Sequence, residues 1–421
     1  MILLDFFCNF FGQKRRFGES GKTDARRRPF SAPHHAIDND RRLFYDNRRG
    51  RVCRGGVPAL VPPKAARPGD FMNCGNTDSS ALPRDIFSGN WDYGHCQGIA
   101  IDTARKYLYY SFTTALIKTD LGGNLIGSVT GLMGHLGCID FCDSDGRVYG
   151  SLEYKNDVIG RGILNSLGSD AKFEEAFYMA VFDADKITRP GMDATRDGVM
   201  KTVYLKEVVD DYNAEAVNGG KTVKHRYGCS GIDGTAFGPM PGSKDKKEYL
   251  FVSYGVYGDV SRTDNDDQVI LCYDTSDWDD YLRPLCQDDM HKSGPAAPFK
   301  KLFVHTGNTV FGVQNLEYDA FTNSYFMAVY RGQKPEYPNY PLFAADAGAA
   351  PNGNRLTLRK GGLFHESSGV YGWEFPYGST GLIALGDGYY YVSHEGREDG
   401  HQNTHVRLYR WDGEHPFTLA E

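Results

Sequence analysis

The sequence predicts an all-β protein, a β-propeller of four-stranded antiparallel blades. Three observations carry that prediction. Strand-like segments recur in a fixed order from about residue 90 to the end, and fixed-period self-similarity marks repeat architectures. Aromatic residues make up 13% of the 421 residues and glycine supplies 50 of them, as suits many short strands joined by tight turns. No helical periodicity of useful length competes.

The elements follow in chain order. Residues 1–71 carry 15 Lys and Arg against 7 Asp and Glu, a balance of +8, which leaves 32 against 47, or −15, for the rest. Stretches such as "RRRPFSAPHHA" show neither alternation nor helical spacing, so this segment is expected to be a disordered basic leader. The change of style at "MNCGNTDSS" suggests a non-native leader ahead of a true start at Met72. Residues 72–89 read as a linker, and 90–421 as the propeller domain.

Five segments open the blades: "CQGIAID", "LGCIDF", "CSGIDGTAF", "VQNLEYD" and "STGLIAL". An aromatic-rich second strand follows each: "KYLYYSF", "GRVYGSLEY", "EYLFVSYG", "SYFMAVYRG" and "GYYYVSHEG". The third strand ends in an acidic turn in "ALIKTDLGGN", "YMAVFDADK", "VILCYDTSD" and "VRLYRWDGE". Fourth strands are "LIGSVTG", "KTVYLKEVV", "KKLFVHTG" and "PFTLAE", with "PLFAADAG" and "LTLRKGG" as the outer strands of the fourth blade. One such sheet leaves both faces exposed, so blades must stack and close into a ring. Five blades are clear, and the long second and third units leave room for a sixth or seventh.

Several classes fall away. The nine cysteines are scattered without a CxxC pair, which argues against a zinc ribbon or a disulfide framework and for a reducing, cytoplasmic setting. No apolar run approaches the roughly 20 residues of a membrane span. "MILLDFFCNFFGQKRRF" lacks the basic start and cleavage site of a signal peptide. "DSDGRVYG" lacks the later ligands of a calcium loop and reads as a hairpin turn. No phosphate-binding glycine loop and no basic-aromatic stripe for nucleic acid is present outside the leader.

In an antiparallel blade the start of the first strand and the end of the second lie on one face. Polar chemistry concentrates at those positions. First-strand starts offer His95, Gln97, His135, His225, Arg226, Tyr227, Gln314 and Asn315; second-strand ends offer Glu153, Lys155, Tyr330, Arg331, His394, Glu395 and Arg397. A single histidine there reads as a strand cap. His95, His135 and His225 at matching places point instead to general acid-base work or to a divalent metal at the channel mouth, with Gln97, Gln314 or Glu395 completing its shell. The cations Lys155, Arg226, Arg331 and Arg397 suit an anionic ligand unless neighbouring acids neutralise them. Glu153 and Glu395 supply the carboxylate pair that glycoside hydrolysis needs.

With "GHLGCIDF…GRVYGSLEYKND", "HRYGCSGIDG" and "GWEFPYGSTGL" in view, residues 90–421 resemble propeller polysaccharide lyases acting on uronate linkages. The resemblance implies β-elimination on a small acidic saccharide. His135 or His225 would be the base, a tyrosine such as Tyr227 the acid, and Arg331 or Arg397 the group neutralising the uronate carboxylate. The alternatives left open are a glycoside hydrolase using Glu153 and Glu395, and a non-catalytic propeller that binds a ligand or a protein on its top face.

Overall fold

The computed structural model describes residues 79–421 apart from 103, 246 and 412–416, so the expected basic leader lies outside the described residues. Strand β1 (Asp85–Phe87) precedes the first blade, which is built from β2 (Cys96–Ile101), β3 (Tyr107–Phe112), β4 (Ala115–Asp120) and β5 (Leu125–Thr130). The second blade starts with β6 (His135–Cys142) and β7 (Arg147–Tyr154). Helix α1 (Val158–Ser166) interrupts it before β8 (Ala176–Asp183). Strand β9 (Met192–Asp193) then returns to pair in parallel with β5, and β10 (Met200–Tyr204) completes the blade.

Helix α2 (Lys206–Asn213) and the hairpin β11 (Glu215–Asn218) and β12 (Lys221–Lys224) connect to the third blade. That blade runs β13 (Cys229–Pro239), β14 (Glu248–Val256), β15 (Asp267–Tyr273) and β16 (Lys300–His305). The fourth holds β17 (Val310–Asp319), β18 (Ser324–Tyr330) and β19 (Leu342–Asp346). The expected outer strand "LTLRKGG" forms one isolated bridge to β19, Ala345 with Leu358, flanked by backbone bonds from Asp346 N to Thr357 O and from Arg359 N to Ala344 O; Trp373 makes a second bridge, to Leu342. Beside it stands the hairpin β20 (Leu363–His365) and β21 (Val370–Gly372). The fifth blade comprises β22 (Leu382–Gly386), β23 (Tyr389–Glu398) and β24 (His401–Arg410), with β25 (Thr418–Leu419) at the end of the chain.

The ring is therefore a five-bladed propeller, as the repeat predicts, and the remaining length of the second and third units goes into α1, α2 and connecting loops. Its closure was not foreseen. β24 pairs with β1, which lies in the stretch expected as a linker, through Asp85 with Arg407, Ile86 with Val406 and Phe87 with His405. It also pairs with β25, the expected closing strand, through Tyr409 with Leu419. The strand that precedes the first blade and the last strand thus share the outer edge of the last blade.

Five apolar clusters hold the ring, one at each interface between neighbouring blades. Alternation explains the aromatic doublets of the second strands, because successive side chains leave a strand on opposite faces and here both faces are covered. Tyr109 packs into the cluster between the first and second blades, while Tyr110 enters the one between the fifth and first. Tyr390 and Tyr391 divide in the same way between the two interfaces of the last blade. Among the described residues no helix is long and apolar enough to cross a membrane, and the six cysteines are unpaired.

Candidate functional site

A cavity at the start of the inner strands is lined by His95, Gln97, His135, Glu153, Lys155, Ile159, Ser230, Asp233, Phe311, Gln314 and Tyr330. The cavity opens to solvent, and its empty space, the mouth included, amounts to about 570 Å³, room for the end of a sugar chain.

Bulges in the inner strands aim these side chains. In β2, Cys96 faces Phe112 and Gly98 faces Ser111, so Gln97 is the extra residue. Ser230 is extra between Cys229 and Gly231 in β13, and Gln314 between Val313 and Asn315 in β17. A second irregularity of β13, between Ile232 and Thr235, contains Asp233; one in β17, between Val310 and Val313, contains Phe311. A bulge frees one residue from ladder pairing and turns its side chain. Phe311 also has φ +64°, an uncommon setting for a bulky residue.

The second blade supplies His135 and Glu153, which face each other across β6 and β7. Glu153 Oε1 accepts the backbone N–H of Ile232 at 2.6 Å, and Oε2 lies 2.6 Å from Lys155 Nζ. That carboxylate reaches β13 because residue 231 is glycine with φ +130°; a Cβ there would fall 1.8 Å from Glu153 Oε1. Lys155 also donates to Ser230 O at 2.8 Å. Burial favours the neutral amine, but the charges of Glu153 and Asp157 outweigh it and hold the Lys155 ammonium above its ordinary range.

Asp233 stands differently. Its Oδ2 accepts Gln314 Nε2 at 3.1 Å. Burial and the nearby Glu153 charge push its carboxyl well above the usual carboxylate range, against the opposing pull of Lys155. Gly137 makes the space, since a Cβ there would lie 2.3 Å from Asp233 Oδ1. His135 is buried, and its Nδ1 lacks a hydrogen-bond partner, with Glu153 Oε2 3.7 Å away.

His95 holds the rim. Its Nε2 is 2.9 Å from Gln97 Nε2 and its Nδ1 3.1 Å from Glu395 Oε2. Burial alone would raise the Glu395 carboxyl, but the bond to His95 brings it below its ordinary value. Tyr330 lines the wall, its hydroxyl pushed up by burial and by the charges of Glu395 and Asp233.

The sequence-selected residues therefore divide. His95, Gln97, His135, Glu153, Lys155, Gln314 and Tyr330 meet in the cavity. Glu395 is outside the lining and is bonded to the cavity-lining His95. Asn315 braces the floor, donating to Gln97 O and Ser379 O at 2.9 Å each. His225 faces away, with Nδ1 2.6 Å from Tyr212 O. Tyr227 packs edge-on against Phe303. Arg226 pairs with Asp211, Arg331 with Glu374, and Arg397 donates to Gly400 O. His394 is bonded to the Tyr409 hydroxyl at 2.9 Å.

The expected divalent metal at the channel mouth is overturned. Among the described residues no group of three or more His, Cys, Asp or Glu is arranged to hold a metal ion. The physical reason is that the three histidines do not converge: His225 is bonded on another surface, and His95 is engaged between Gln97 and Glu395. Asp233 is the feature sequence reading missed. Its signal was the acid inside "SGIDG", where flanking glycines mark a close backbone approach within a strand.

No protein-family model and no curated protein matches the chain. Solved structures do. A β-1,3-galactosidase with galactodeoxynojirimycin is 11% identical, with 79% of this chain and 97% of that one covered at a TM-score of 0.38. The PQQ domain of pyranose dehydrogenase from Coprinopsis cinerea is 13% identical over 74% and 81% at 0.30. The calcium-binding protein regucalcin from Agrobacterium tumefaciens is 11% identical over 80% and 98% at 0.31.

Proposed function

We propose that this propeller is a carbohydrate-active enzyme that hydrolyses a terminal, uncharged sugar held in the axial cavity. The observation carrying the proposal is the unequal pair of buried carboxyls on one cavity wall. Glu153 is neutralised by Lys155 at 2.6 Å, whereas Asp233 has Gln314 at 3.1 Å as its donor. Burial and the neighbouring Glu153 charge push the Asp233 carboxyl well above the usual carboxylate range, so it can keep a proton to donate. A carboxyl poised in this way is suited to general-acid work. Asp233 would give its proton to the departing glycosidic oxygen. His135, backed by Glu153, would take a proton from the attacking water. Gln97, Gln314 and Tyr330 are suited to bond ring hydroxyls, and the cavity suits the end of a chain.

This reading departs from uronate elimination. Such a step needs a cation free to neutralise the substrate carboxylate. No arginine is among the residues lining the cavity, and Lys155 is already paired with Glu153. The test is incubation with matched neutral and uronate oligosaccharides. New reducing ends from a neutral substrate, with turnover falling as pH rises through the Asp233 pKa, is the expected outcome. An unsaturated product absorbing in the near ultraviolet from a uronate would restore elimination.

A further inference from the structure

We infer that Tyr377 is the stacking platform for a second sugar ring next to the axial cavity. This inference rests on the saccharide reading above. Tyr377 is 43% exposed, a large share for an aromatic residue. It is nonetheless fixed from behind. Its ring lies 4.0 Å from that of His394, at 32°, and Phe375 meets it edge-on at 5.7 Å. His394 in turn stacks on Tyr409 at 13°, and its Nε2 lies 2.9 Å from the Tyr409 hydroxyl. Burial, aided by Arg407, lowers the His394 pKa to about 4, so the imidazole beneath Tyr377 is neutral near pH 7.

The chain puts this surface near the rim. Tyr377 is two residues before Ser379, which bonds the cavity-lining Tyr330 and whose carbonyl accepts Asn315 Nδ2 at 2.9 Å. A flat aromatic face held in place before binding loses little freedom on contact. Such a face suits the axial C–H groups of a pyranose, while the hydroxyl edge stays wet. The terminal sugar would occupy the cavity and the next one would lie on Tyr377, with the scissile oxygen between them.

Calorimetry tests the inference. Wild type, Tyr377→Phe and Tyr377→Ala are titrated with glucose and cellobiose, galactose and galactobiose, and xylose and xylobiose. Wild type should bind one disaccharide about tenfold tighter than its monosaccharide. The phenylalanine variant should keep that ratio, and the alanine variant should lose it without weakening the monosaccharide. An unchanged ratio in Tyr377→Ala, or no disaccharide preference in wild type, overturns the platform. Turnover of nitrophenyl glycosides separates the failures. Cleavage with an unchanged ratio leaves the cavity reading intact, whereas a wild type that neither binds nor cleaves any of these sugars removes both. Unchanged thermal unfolding of the variants confirms that each is folded.

Discussion

Lys155 and Glu153 show how individual residues set the chemistry of the cavity. Their side chains are 5% and 3% exposed and 2.6 Å apart. Removing one member of a buried pair leaves an uncompensated charge, which typically costs about 3–5 kcal/mol. Lys155→Met should destabilise the fold by that amount in urea unfolding, and Lys155→Met with Glu153→Gln should recover much of it. A loss below about 1 kcal/mol in the single variant would mean that the pair does not fix the Glu153 charge. Asp233 is the opposite case, a buried carboxyl in the same lining without such a partner. Much of this was legible at the residue scale, because antiparallel geometry alone places His135 opposite Glu153 and gathers Gln97, Lys155 and Tyr330 at one face. What could not be read was orientation. His225 precedes β13 as His95 precedes β2, yet φ of +64° at His225 and +59° at Tyr227 turns this stretch away from the axis.

At the scale of elements, the inner-strand bulges and the closing strand carry the design. Gln97, Ser230 and Gln314 occupy equivalent bulges in three blades, so a single backbone device delivers three polar side chains to one place. The repeat itself was visible because both faces of each blade are buried and write adjacent aromatics into the second strands. The closing strand was not, since "DIF" at residues 85–87 is too short to carry a periodic signal. Ile86 is only 2% exposed and pairs with Val406. Ile86→Ala should therefore cost about 2–5 kcal/mol of stability, read as a lower denaturation midpoint. A cost near zero would show that β25 closes the last blade without β1.

For the whole molecule, the ring matters because no single blade contains the site. The second blade supplies the Glu153 side, the third Asp233, the fourth Gln314 and Tyr330, and the first His95 and Gln97. The proposed acid-base chemistry would thus depend on the blades closing in register around one axis. The central claim is that Asp233 protonates the leaving oxygen, and kcat/KM of wild type and Asp233→Asn on two neutral substrates tests it most directly. One substrate is a disaccharide, whose departing hydroxyl needs a proton. The other is the matched nitrophenyl glycoside, whose departing phenolate needs it far less. The account predicts a loss of about 10²–10⁴-fold on the disaccharide, the usual range for a general acid, and a much smaller loss on the nitrophenyl substrate. Equal losses on the two substrates, or full activity on the disaccharide, would contradict it.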